Sequence, residues 1–225
     1  MPSPIGHSLG ALALVGLVRW LGLVRPTTPN PAPGHLRLDV RGQFWLLVWT
    51  ALLVFAANAP DLDFVPGILV GEPDRFHHGP AHSLGGALLF AALAWVIARR
   101  VQPKKAGAAA LLMGLGFMSH LFLDMCSMDT RAPNGVPLFW PLDSTYIMMP
   151  IPVFLDIQRD PRASNFFVSL LRPHNLTAAL WELVVMSLVL ALLRAVTLVI
   201  AGLRELRARA VGRAVEAKSP TVQEP

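Results

Sequence analysis

Apolar and polar positions alternate in long blocks along the chain. Five apolar runs stand out: Ile5 to Val24, Phe44 to Ala57, Leu84 to Ala98, Ala106 to Met125 and Leu180 to Leu203. A helix rising ~1.5 Å per residue needs roughly 20 residues to cross a hydrocarbon layer of ~30 Å, and the first, fourth and fifth runs meet that length directly. The second and third are shorter and are extended by their flanks, through Asn58 and Ala59 in one case and back through Ala81 to Ser83 in the other. Tilt or local thinning of the bilayer accommodates such spans. The pattern predicts an all-α fold, a polytopic membrane helical bundle of about five transmembrane helices within residues 1–203. The first run has no basic leader and is long enough to span, so it reads as a retained helix rather than a secretory signal.

Composition strengthens this picture, since 54% of the 225 residues are hydrophobic, more than a water-soluble core requires. A net charge of +5 raises nucleic acid as a partner, but the basic residues fall in short blocks between apolar runs, and no nucleic-acid partner is expected. Those blocks orient the bundle, because short loops rich in Lys and Arg stay cytoplasmic. Arg25, Arg37 and Arg41 follow the first run, Arg99, Arg100, Lys104 and Lys105 the third, and Arg204, Arg207, Arg209, Arg213 and Lys218 the fifth. The other side carries Arg75, Arg131, Arg159, Arg162 and Arg172, spread over much longer loops. The expected arrangement has the N-terminus outside and the C-terminus in the cytoplasm. Residues 204–225 then form a basic helical extension on anionic headgroups and a polar tail. Residues 127–177 make an outer segment whose prolines, Pro133, Pro137, Pro141, Pro150, Pro152, Pro161 and Pro173 among them, forbid a spanning helix. Its apolar stretches mark it as a cap that folds back on the bundle or lies at the lipid surface.

Against a topology drawn from Lys and Arg alone, the His residues other than His35 and most of the Asp residues fall on the outer side. His7 opens the first helix, Asp61 and Asp63 follow the second, His77, His78 and His82 precede or open the third, and His120 and Asp124 end the fourth. His120 and Asp124 are four apart on a helix, so both side chains share one face and reach one cation. His120 falls within the outer hydrocarbon layer, where an ionisable group costs on the order of 2.5 to 3.5 kcal/mol unless paired or hydrated. Asp61 and Asp63 follow Pro60, and an extended backbone there would point both carboxylates the same way. His77 and His82 bracket a Gly79-Pro80 turn, and Ser83 is placed to cap the next helix.

The candidate metal ligands are therefore His7, Asp61, Asp63, His77, His82, His120 and Asp124. A single Cys126 rules out a thiolate-rich zinc site, and imidazole with carboxylate suits zinc, manganese or iron. Seven donors fit one or two divalent ions, with Asp61 or Asp63 as the carboxylate that orients or deprotonates water. Trp140 and Tyr146 read as interfacial anchors, Cys126 as packing, His35 as solvated, and His174 and Asp156 as structural residues. A cation path is the rival reading. It needs polar groups on both sides of the membrane, and apart from Arg19 and Arg194 the deeper helical positions offer no charge. A non-enzymatic scaffold braced by metal is the second rival.

His7, Pro60-Asp61-Leu62-Asp63, His77-His78-Gly79-Pro80-Ala81-His82-Ser83, His120-Leu121-Phe122-Leu123-Asp124 and the stretch from Gly135 to Pro141 form an ordered set. It resembles that of the bacterial inner-membrane metal-dependent hydrolases described as LexA-regulated. The set departs from that family at His78 and Ala81, where Arg and Thr are usual. The resemblance implies a membrane-bound hydrolase acting on an ester or phosphoester, a small molecule or a lipid, with its site facing the extracytoplasmic side and membrane lipids as partners.

Overall fold

The computed structural model describes residues 1–20 and 40–218, and within them each of the five apolar runs lies in a helix. Arg25, His35, Arg37 and the tail from Ser219 lie outside the described residues. Helix α1 covers Pro4–Trp20 and α2 covers Val40–Asn58. Asn58 ends α2 because Pro60 has no N–H to continue the ladder. The chain instead turns through a short 3₁₀ helix, Pro60–Asp63, into a six-residue helix α3, Phe64–Leu69. Two further 3₁₀ turns, Pro73–Arg75 and Pro80–His82, lead to α4, Leu84–Val101, and a tight turn joins it to α5, Ala106–Met125. The outer segment contains one short helix, α6, Ala163–Ser169, and the chain finishes in α7, Pro173–Lys218.

By length and apolar composition, Leu84–Val101, Pro103–Met125 and Pro173–Arg207 each qualify to cross a membrane. Phe44–Asn58 with Pro60–Leu69 qualifies only as a pair bent by 51°, and the apolar stretch Pro4–Gly16 of α1 is shorter than a span. The described residues thus hold three or four candidate spans where the sequence pattern predicts five. Pro60 bends the chain after the second run, and the first run continues past the described residues. The last helix also begins at Pro173, earlier than its apolar run, because Pro suits a first helical position and His174, Asn175 and Thr177 are helical without being apolar.

Helix α5 is the axis of the bundle and packs against α1, α2 and α4, while α7 packs on α1. Small residues allow the close approach. A Cβ on Gly116 would stand 2.9 Å from Leu53 Cδ1 and 3.0 Å from Ala56 Cβ. Ala11, Leu53, Ala56, Ala57 and Met113 form the apolar core between α1, α2 and α5. The outward faces of α4 and α7 are apolar and exposed, with Leu88, Leu89 and Ile97 on one and Leu188, Leu192 and Val199 on the other. Exposed apolar faces of this extent are stable only against lipid.

The cap is tied to the ends of these helices by backbone hydrogen bonds. Met149 N–H donates to Met125 O at 2.8 Å, Val153 N–H to Cys126 O at 2.7 Å, and Leu84 N–H to Leu138 O at 2.8 Å. It folds back on the bundle, as its apolar content predicts. At the far side of α1, buried Glu182 of α7 accepts from Ser3 N–H at 2.8 Å and from the Ser3 hydroxyl. A carboxylate at that helix start also suits the peptide dipoles.

Candidate metal centre

The polar residues singled out by sequence converge at one end of the bundle. His7, His82 and His120 are fully buried, and Asp124 is 3% exposed. Helix α5 supplies the centre: His120 Nε2 and Asp124 Oδ2 are 3.1 Å apart across one helical turn. His82 arrives on the 3₁₀ turn before α4, with Ser83 as N-cap accepting from Gly86 N–H at 3.0 Å. His82 Nε2 then lies 3.2 Å from His120 Nε2, 3.4 Å from Asp124 Oδ2 and 3.6 Å from Asp61 Oδ1. Asp61 Oδ1 is 3.5 Å from His120 Nε2.

These five separations, from His82, His120, Asp61 and Asp124, fall between 3.1 and 3.6 Å. Ligand atoms that share one ion at bonds of about 2.0–2.1 Å stand about 3–4 Å apart. The tautomer of His120 agrees with such a role. Its Nδ1–H donates to the Ala57 carbonyl at 2.8 Å, which turns the Nε2 lone pair toward the other three atoms. That carbonyl is available because it belongs to the last turn of α2, where helical acceptors go unused.

Asp61 and Asp63 lie on a 3₁₀ turn and not an extended strand (φ near −65° on both sides of it), yet one oxygen of each still lies within 4.8 Å of the other. The result is a grip on His82 from both nitrogens: Asp61 faces Nε2, while Asp63 Oδ2 lies 3.0 Å from Nδ1. The other oxygen of Asp63 lies 3.0 Å from His77 Nδ1. His77 stacks on Phe64 at 3.9 Å between centroids, and its Nε2 lies 2.8 Å from Met1 Sδ. His7 stacks on His120 at 3.7 Å, and its Nε2 is 3.5 Å from Asp124 Oδ1. All seven candidates therefore meet in one cluster, and its triplets of potential donor atoms lie within 4.8 Å of one another.

Much of this cluster lacks protein partners. Both ring nitrogens of His7, both carboxylate oxygens of Asp124, and Asp61 Oδ1 are buried without a hydrogen bond among the described residues. Three buried carboxylates leave negative charge that burial penalises unless protons on the imidazoles or a cation offset it. Outside the spans, burial carries His77 down to about 3.

His78 and Asp129 join the site without having been singled out as ligands. His78 adopts φ 54°, is buried, and sets Nε2 3.9 Å from Asp124 Oδ2 and Nδ1 3.3 Å from Asp129 Oδ2. Against the burial that would raise it, His78 and the backbone N–H groups of Gly135 and Arg131 hold Asp129 well below the usual carboxylate range. The left-handed backbone at His78, which turns consecutive imidazoles to different partners, leaves no signature in sequence. His174 and Asp156 pair with each other at 3.0 Å, matching their reading as structural residues.

A family model described as YdjM inner membrane protein matches residues 3–201. That range contains every residue of the cluster except Met1. No curated relative and no solved structure matches the chain.

Proposed function

We propose a membrane-bound metal-dependent hydrolase: the chain belongs to the YdjM inner membrane protein family, and within it the buried His and Asp cluster is the reacting centre. The observation that carries the reading is the 3.1–3.4 Å spacing of His82 Nε2, His120 Nε2 and Asp124 Oδ2, with Asp61 Oδ1 3.5–3.6 Å from both imidazoles. These four residues would hold the ion and leave it a further position for water, with a donor set that suits zinc, manganese or iron. When bound, a divalent cation lowers the pKa of water toward about 7 and polarises a scissile ester or phosphoester.

The chain's own residues divide the remaining work. Asp63 hydrogen-bonds His77 and stands 3.0 Å from His82 Nδ1, so it is placed to orient imidazoles. Asp61, its side chain 15% exposed, is the carboxylate open enough to accept a proton from attacking water. His7, and His77 with it, stand next to the four and extend the donor set toward a second ion.

The full topology is part of the proposal: five spans, an outer N-terminus, a cytoplasmic C-terminus and a site on the extracytoplasmic face. Cap residues Leu142, Ile151 and Leu171, which are 94%, 79% and 84% exposed, would dip into the outer headgroup layer and bring lipid substrates beside the site.

Metal analysis of the detergent-purified protein tests the centre. Wild type is expected to retain at least one zinc per chain, with His120→Ala and Asp61→Ala losing it and losing hydrolysis in a screen of phospholipids and phosphoesters. Full metal content in both variants would remove the centre as drawn.

A further inference from the structure

Between the His77-His78 loop and the cap lies a cleft of about 390 Å³, lined in part by Asp74, Arg75, Arg131, Tyr146 and Arg159. Its charge character is opposite to that of the metal centre. Three guanidinium groups face it against two carboxylates, Asp74 and Asp129, and both carboxylates are already committed. Asp129 accepts from the backbone N–H groups of Arg131 and Gly135 at 3.0 and 2.9 Å. One oxygen of Asp74 accepts from Arg131 Nη1 and the other from Arg159 Nε at 2.5 Å, so a single carboxylate fixes two guanidiniums side by side.

Arg159 is held on a second side as well. Its guanidinium lies over the Phe64 ring at 5.2 Å, the same ring that stacks on His77. The side chain is only 9% exposed. Yet its two Nη groups have no protein partner among the described residues and are not sealed from the surface, so their N–H donors open onto the cleft that the residue lines. A nearly buried guanidinium, braced at Nε and across its face with its fork left open, is preorganised for a tetrahedral oxyanion. Arg131 is tied to Asp74 and to the Arg159 carbonyl, and Arg75 reaches Glu72 at 3.6 Å, so the cleft keeps one guanidinium more than its carboxylates and the open fork of Arg159 carries it. Its inner wall includes His78, whose Nε2 is 3.9 Å from Asp124 Oδ2, so a group seated here lies beside the metal centre.

We propose that this cleft binds the phosphate group of the substrate, gripped by Arg159 and Arg131, which selects phosphoesters over carboxylic esters. Naming the ligand a substrate rests on the hydrolase reading of the neighbouring cluster; binding of phosphate does not.

The experiment uses the full chain in dodecyl maltoside, with inorganic phosphate titrated against thermal unfolding and zinc per chain measured in parallel. Wild type should bind phosphate saturably, and EDTA treatment should leave that binding in place. Arg159→Gln should weaken it tenfold or more with zinc content unchanged, Arg159→Lys should restore it only in part, and Arg75→Gln, at a side chain 55% exposed, should weaken it a few-fold. Glycerol 3-phosphate compared with dihexanoyl phosphatidic acid identifies the source: equal affinities indicate a soluble ester, and tenfold tighter lipid binding indicates a headgroup. Phosphate binding that EDTA abolishes and Arg159→Gln leaves intact would overturn the proposal, placing the anion on the ion. Should Arg159→Gln fail to fold, unchanged affinity in both Arg159→Lys and Arg75→Gln overturns it equally. A wild type without zinc that still binds phosphate through Arg159 would instead overturn the hydrolase reading alone.

Discussion

Replacing Asp63 with Asn separates a residue that orients ligands from one that donates to the ion. Asp63 spans two imidazoles, at 3.0 Å from the Nδ1 atoms of both His77 and His82, and its side chain is only 8% exposed. For His82 to present the Nε2 lone pair, its Nδ1 must carry the proton and meet an acceptor. The carboxylate supplies an acceptor to both rings, whereas Asn supplies one acceptor and an NH₂ group that repels the second N–H. One ring must then change tautomer or rotate. Loss of such an orienting carboxylate typically lowers metal affinity about 10- to 100-fold, equivalent to about 1.4–2.7 kcal/mol. Asp63→Asn should therefore bind zinc at full stoichiometry but with an affinity one to two decades weaker, as read by competition with a chromophoric chelator. Asp124→Asn, which alters the carboxylate facing His7, His82 and His120 at 3.5, 3.4 and 3.1 Å, should lose stoichiometric binding. Affinity of Asp63→Asn within threefold of wild type, or loss equal to that of Asp124→Asn, would refute the division of roles.

Glu182→Ala removes the buried acceptor for Ser3 N–H and hydroxyl and should cost about 1–3 kcal/mol. Thermal unfolding followed with a thiol-reactive dye at buried Cys126 measures it, and an unchanged midpoint would show that the α1–α7 tie is dispensable. Gly135 has φ +95°, and a Cβ there would run into the Ile147 carbonyl, so Gly135→Ala should cost on the order of 1–3 kcal/mol and loosen the Val136–Ile147 pairing. Faster proteolysis of the cap at unchanged helical content is the expected readout. Acidification should strip the ion, because protons compete for His82 and His120, with occupancy falling as pH drops from 7 to 5. Retention of all metal at pH 4.5 would contradict imidazole ligation.

The parts of the site that sequence exposes are those set by local periodicity. The four-residue spacing of His120 and Asp124 translates directly into their 3.1 Å approach, and Ser83 caps α4 as its position suggests. The convergence of four distant segments follows from placing every His and Asp donor at the same end of apolar runs. What escapes is set by backbone irregularity and by groups that every residue possesses. Pro60 can be followed by either extended or 3₁₀ backbone, and the choice sets how Asp61 and Asp63 reach His82 from two sides. The Ala57 carbonyl that fixes His120 is invisible in composition, and the roles of His78 and Asp129 depend on a left-handed turn. Helix limits shift for a related reason: apolarity marks the lipid-facing part of α7, while its helical start at Pro173 is set by backbone capacity.

The Ala57 carbonyl has a consequence for how the protein is made. Donor atoms come from residues 61, 82, 120 and 124, and the imidazole of residue 120 is oriented by the end of an earlier helix, so no nascent chain shorter than about the first five helices has a coordination pocket. On the proposed reading, ion capture would follow lateral association of the helices. Metal occupancy would then report correct assembly, and a misassembled copy would leave its buried acids uncompensated.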